Sequence, residues 1–174
     1  MKRVLFPGSF DPIHYGHIDI ATRASAIFDE LVIAVYDQPM KSLLFSPEER
    51  IDLVERSLSH LKTIRVVGYN GLTITFAKEI GACAIVRGLR VFSDFEYEFR
   101  MALANRRLDP EIDVISFITS EEHTFLSSST VKEIAALGGD VSSMVPKHVQ
   151  DAMSRKFQDL GNEHNVLPLN SIRD

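Results

Sequence analysis

The chain has 174 residues, 45% of them hydrophobic and 25% charged, which suits one globular domain with a proper core. A net charge of -5 excludes a protein that binds nucleic acid mainly by neutralising phosphates, while leaving room for a local basic pocket. The one cysteine, Cys83, excludes an internal disulfide; no apolar run reaches the length of a membrane span, and the apolar stretch of "MKRVLF" is too short for a secretory leader, so the chain reads as cytoplasmic with no membrane partner.

Residues 3–6 (RVLF) read as a strand. The loop "PGSFDPIHYGH" follows, then a helix over 16–28 with Ile20, Ala24, Ile27 and Phe28 along one stripe. Residues 31–36 (LVIAVY) are the next strand. The helix over 46–61 has a marked start: Ser46 fits the N-cap, Pro47 the first helical position, and Glu49 closes a capping box. A strand over 63–68 and a short helix over 72–81, stopped by Gly81, come next. Residues 83–88 (CAIVRG) read as a strand in which Cys83 is a buried, inert thiol.

Residues 94–100 (DFEYEFR) alternate like a strand, but Ser93 and Glu96 form a capping box and good helix formers follow, so a helix is predicted. Phe95, Tyr97 and Phe99 read as core or subunit interface. A strand over 113–119 leads to a helix over 129–139, for which Thr130 and Glu133 offer a capping box, and to a last helix over 146–157. Residues 1–158 then form one domain, and 159–174 a loosely ordered tail. This alternation predicts an α/β protein: a doubly wound, five-stranded parallel sheet with helices on both faces, Rossmann-like in outline.

Ligands of such sheets bind beyond the carboxyl ends of the strands. There the chain places His14 and His17, Lys41, "YNGLT", Arg87 with Arg90, and "SEEHTFLSSST". Cations and hydroxyls gathered on an acidic protein suit a polyanionic ligand, most simply a nucleotide. Gly8 and Gly16 permit close backbone approach, and His17 falls near a helix N-terminus, where free N–H groups favour an anion. The plainer alternatives are a solvated Lys41, Arg87 and Arg90 paired with Glu96 or Glu98, and a serine run that only caps its helix. His60, His148 and His164 read as surface residues. There is no G-x-G-x-x-G, no Walker loop, no G-x-S-x-G elbow and no Cys/His metal set, which disfavours dinucleotide binding, P-loop chemistry, acyl hydrolysis and a protein-held metal.

"HYGH" at 14–17 has the form H-x-G-H. It stands within "PGSFDPIHYGHIDI" and is followed, at fitting distances, by "SPEER", "RGLRVFSDFEYEF" and "FLSSSTVKE". In these segments the chain resembles the H-x-G-H nucleotidylyltransferase superfamily, and within it the bacterial phosphopantetheine adenylyltransferase family. The resemblance implies a nucleotidylyltransferase fold and transfer of an adenylyl group from ATP to 4′-phosphopantetheine, giving dephospho-coenzyme A and pyrophosphate. It implies Mg²⁺ bound mainly through the ATP phosphates, with no protein ligands. His17, Lys41 and Arg90 would be catalytic, and Ser9, Lys41, Thr73 and Arg87 would hold phosphopantetheine. Ser9, Phe10, His17, Gly88, Leu89, Arg90, Glu98, His123, Thr124, Phe125, Leu126, Ser127, Ser128 and Ser129 would hold ATP. A homohexamer and coenzyme A as feedback ligand are implied as well. Ser9 and His14 stand where the family commonly has threonine, and "EHTFLSSS" departs from its usual run. Two alternatives remain open: a sister transferase acting on nicotinamide mononucleotide, and a non-catalytic nucleotide sensor.

Overall fold

The computed structural model describes residues 1–37 and 43–162. In chain order the elements are β1 (Arg3–Gly8), α1 (Tyr15–Ser25), β2 (Glu30–Tyr36), α2 (Pro47–Leu58), β3 (Ile64–Tyr69), α3 (Thr73–Glu79), β4 (Ala84–Leu89), α4 (Phe92–Leu108), β5 (Asp113–Ile118), a 3₁₀ turn at Glu121–His123, α5 (Ser128–Ala136) and α6 (Lys147–Asn162). The five strands form one parallel sheet in the order β3-β2-β1-β4-β5. This is the doubly wound sheet the alternation predicts. The chain moves outward from β1 to β3, then returns to lay β4 on the other side of β1. The order therefore reverses between β1 and β4, which opens a crevice at the carboxyl ends of those two strands.

Side-chain alternation along the strands divides the core. Val4, Phe6, Leu31, Ile33 and Val35 pack on one face with residues of α1, α2, α5 and α6. Leu5, Val32, Ala34 and Ile85 pack on the other with Ile74 and Ala77 of α3. At the start of α2, Ser46 Oγ accepts from Glu49 N at 3.2 Å and Glu49 Oε2 accepts from Ser46 N at 2.8 Å, with Pro47 in the first turn, as expected.

Several local expectations give way to tertiary context. Helix α1 ends at Ser25, and Ile27, expected on its buried stripe, is 65% exposed because the chain is already turning toward β2. Cys83 is exposed, not buried. It lies just before β4, where Ala82 and Ala84 take the buried positions on either side of it. The N-cap of α4 is Val91, so Ser93 lies inside the helix and forms no capping box. The cap of α5 is Ser127, whose Oγ accepts from Thr130 N at 3.0 Å; Thr130 is inside the helix. Helix α4 has no buried residue, so Phe95, Tyr97 and Phe99 are not core. His148 is part-buried, with Nε2 3.1 Å from Ser57 Oγ, and ties α6 to α2; His60 is exposed as expected. Helix α6 runs four residues past 158, to Asn162, and the remaining tail residues, His164 included, lie outside the described residues.

Candidate active site

The loop after β1 is shaped by Phe10. Its ring is buried and lies edge-on to His17, with centroids 5.0 Å apart, and edge-on to Phe6 at 5.6 Å. Its backbone takes φ 49, a left-handed conformation that a phenylalanine holds only under restraint. A Cβ at Gly8 would come within 3.0 Å of that ring, so the strand end must be glycine for the ring to tuck beneath it.

His17 occupies the first turn of α1. Its Nδ1 accepts from His14 N at 3.3 Å, which leaves the proton on Nε2 for the cleft that the ring lines. The His14 ring stacks on it at 3.7 Å. Burial, followed by the nearby charges of Arg90 and Arg87, lowers the His17 pKa to about 3. His14 is also lowered well below the usual 6.5, by burial and then by His17, Arg90 and His123. Both rings are therefore neutral at physiological pH, and His17 is a hydrogen-bond donor, not a cation.

This has a consequence for stability. Between pH 6.5 and about 3 the unfolded chain binds a proton at His17 that the fold rejects, and His14, also lowered, acts in the same direction below pH 6.5. Stability is therefore full above pH 6.5 and falls as pH drops through that window, by ~1.4 kcal/mol per pH unit for His17, with His14 adding a loss of the same sign. Thermal midpoints recorded from pH 7 to pH 4 should fall less steeply for His14→Gln than for the wild type. Equal slopes would remove His14 as a source of acid sensitivity.

Two clefts meet at the strand-order reversal. The first, about 300 Å³, is lined by Gly8, Ser9, His14, His17, Arg87, Gly88, Arg90, Glu98, Ser127 and Ser128. The second, about 620 Å³, has Tyr36, Tyr69, Leu72, Thr73, Met101 and Asn105 along its wall. Pro7, Gly8, Ser9, Arg87 and Glu98 belong to both. Arg87 is gripped by both Glu98 oxygens, at 2.8 and 2.6 Å, and donates to Pro7 O at 3.1 Å. Burial works against its charge, but the Glu98 pair outweighs burial and raises its pKa. Arg90 binds Asp94 at 3.0 and 3.2 Å and donates to Leu126 O at 2.7 Å. Asp94 also accepts from Arg90 N at 3.1 Å. So Glu98 holds Arg87, Asp94 holds Arg90, and Glu96 instead faces Arg100 on the surface. The pairing and the cleft position coexist: each arginine is aimed by its carboxylate.

Most of the expected residues come together here. Ser9, His17, Arg87, Gly88, Arg90, Glu98, Ser127 and Ser128 line the first cleft, and Thr73 lines the second. Phe10 lies beneath them and Leu126 lends a carbonyl. Ser128 Oγ donates to Pro12 O at 2.8 Å and so ties α5 to the β1 loop. Leu89, His123, Thr124, Phe125 and Ser129 line neither cleft. Lys41 lies outside the described residues.

Three residues escaped the sequence reading. Asp94 was hidden behind the apparent Ser93 cap. Asp11, 1% exposed, accepts from Leu44 N and Phe45 N at 3.0 Å each and pairs with Lys132 Nζ at 2.7 Å; nothing local marks it as buried. Arg50 is wholly buried, and here a signal existed: with Leu53, Val54, Ser57 and Leu58 it falls on the buried stripe of α2.

Among known proteins, a family model described as cytidylyltransferase-like matches residues 5–134. The chain is 51% identical over 159 residues to a phosphopantetheine adenylyltransferase of Methylacidiphilum infernorum, covering 90% of this chain and 92% of that one. It is 50% identical over 157 residues to the protein of the same name from Roseiflexus sp. (strain RS-1), covering 90% and 98%. A solved structure from Vibrio parahaemolyticus, described as a candidate nicotinate-nucleotide adenylyltransferase, matches with a TM-score of 0.67 at 18% identity, over 96% of this chain and 98% of that one. That last likeness concerns the fold.

Proposed function

The chain belongs to the cytidylyltransferase-like family and, within it, to the phosphopantetheine adenylyltransferases, and on that footing we propose that it transfers the adenylyl group of ATP to 4′-phosphopantetheine, forming dephospho-coenzyme A and pyrophosphate. The observation that carries the proposal is the pair of clefts sharing a wall at Gly8, Ser9, Arg87 and Glu98. A cleft lined by two arginines and a histidine N–H donor suits nucleotide phosphates, and a larger one with apolar and amide groups suits an extended pantetheine arm.

The chemistry asks little of the protein covalently. The acceptor phosphate is already anionic and needs no general base. Its oxygen forms a bond to the α-phosphorus, and pyrophosphate leaves with the electron pair of the broken P–O bond. The difficulty is to bring two polyanions together and to bear the charge that builds at phosphorus. His17 would donate its Nε2–H to an α-phosphate oxygen, while Arg90 and Arg87 offset charge from either side. Lys41 is assigned to the same task. Ser9, Thr73 and Arg87 would hold the acceptor. Ser9, Phe10, Gly88, Leu89, Arg90 and the run 123–129 would hold ATP, with Ser127 and Ser128 at the N-terminus of α5. Glu98 acts through Arg87. Asp94 and Glu98, the carboxylates lining the first cleft, are both taken up by arginines, so Mg²⁺ would be held mainly by the ATP phosphates and would offset their charge.

Pyrophosphate release should require ATP, Mg²⁺ and 4′-phosphopantetheine together, and nicotinamide mononucleotide should not replace the acceptor. Release only with that nucleotide would move the chain to a sister reaction, and ATP binding with no release would favour a sensor. The exposed row Phe92, Phe95, Phe99 and Leu103 on α4 supports self-association, and we assign a homohexamer, which sedimentation equilibrium of the same preparation should show. Coenzyme A, which carries the product's pantetheine arm, is the expected feedback ligand. No helix among the described residues is long and apolar enough to cross a membrane.

A further inference from the structure

Arg50 lies in the first turn of α2 with its side chain fully buried. A buried guanidinium is costly unless its N–H groups are met. Here main-chain carbonyls of three separate segments meet them. Nε donates to Phe45 O at 3.3 Å, Nη1 to Ser9 O and Tyr36 O at 2.8 Å each, and Nη2 to Asp37 O at 3.5 Å. Tyr36 ends β2 and Ser9 directly follows β1, so one side chain binds the carboxyl ends of two neighbouring strands.

The contact with Ser9 bears on the site. The Ser9–Phe10 peptide is trans, so its carbonyl and its N–H point in opposite directions. With the Ser9 carbonyl turned to Arg50, the Phe10 N–H points away from it. Ser9 lines both clefts, and Phe10 is held in its left-handed conformation at this same joint. We propose that Arg50 is a positioning residue for nucleotide binding: by holding the Ser9 carbonyl it keeps the strained Ser9–Phe10 peptide turned so that the Phe10 N–H is offered to a phosphate in the first cleft. This rests on the nucleotide-site reading above. A lysine cannot take over, because a point-like ammonium lacks the planar fork that reaches carbonyls on two strands at once.

Arg50→Lys and Arg50→Met test this, with Met153→Ala as a core control in α6, a helix that lines neither cleft. ATP affinity by calorimetry and kcat are the readouts, with circular dichroism to verify folding. Folded Arg50→Lys should weaken ATP binding and lower kcat by about tenfold or more each, since displaced reacting groups forfeit orientation. Met153→Ala should lower the thermal midpoint yet bind ATP like the wild type. ATP affinity and kcat of Arg50→Lys within about twofold of the wild type would overturn the proposal, as would an equal loss of ATP affinity in Met153→Ala. Failure of both Arg50 variants to fold would assign the residue to stability alone and overturn it too. A wild type that binds ATP but releases no pyrophosphate would defeat the adenylyl-transfer reading only, and the ATP affinities would still decide the role of Arg50.

Discussion

His17→Ala is expected to cut the rate of pyrophosphate release by about a hundredfold to a thousandfold while changing the KM for ATP only a few-fold. Loss of one preorganised donor to a charge that develops in the transition state has about that effect, ~3–4 kcal/mol. The structure supplies the preorganisation. His14 N holds Nδ1, Phe10 packs edge-on and the His14 ring stacks on the imidazole, so Nε2 does not reorganise when the reaction occurs. His17→Gln, which keeps an N–H of similar reach, should recover part of the loss. The pH profile gives a second check. With the His17 pKa lowered to about 3, the ring stays neutral as pH falls from 8 to 5, and the rate should show no His17 limb there. If His17 acted as a cation, the rate would rise as pH fell through 6.5. Such a rise, or a loss below about threefold in His17→Ala, would sink the assignment.

The second large effect is on stability. Asp11→Ala is expected to destabilise the fold by about 3–5 kcal/mol, seen as a thermal midpoint lower by about 10 °C. The carboxylate is 1% exposed and holds Leu44 N, Phe45 N and Lys132 Nζ at once. Its removal leaves two N–H groups without their acceptor and a mostly buried ammonium without its counter-charge. Asp11→Asn keeps one acceptor oxygen and should cost less. Adding Lys132→Met to Asp11→Ala removes the stranded charge and should restore part of the stability, a coupling a double-mutant cycle would read. A loss under about 1 kcal/mol in Asp11→Ala would mean that these contacts contribute little.

Much of the fold was legible because its signals are local. The strand runs at 31–36 and 83–88, the Ser46–Pro47–Glu49 helix start and the stop at Gly81 depend on residues within a few positions of one another, and each matches the structure within about two residues. The H-x-G-H loop was legible for the same reason: its residues follow one strand and open one helix. Where local rules competed, they misled. Ser93 and Thr130 both looked like caps, yet the helices begin elsewhere, because Asp94 is drawn to Arg90 and Ser127 caps α5.

By itself, then, the sequence determined the alternation of strands and helices, the parallel sheet, the loop that bears His17 and the family to which the chain belongs. The tertiary structure decided the rest: the two clefts that share Ser9 and Arg87, the choice of Glu98 for Arg87 and Asp94 for Arg90, the buried Asp11–Lys132 pair, the span of Arg50 across β1 and β2, and the exposure of Cys83 and of α4. The physical reason is range. Backbone propensity and capping act over three or four residues, whereas a buried charge is satisfied by partners that lie 41 or 121 positions away and become neighbours only when the sheet closes.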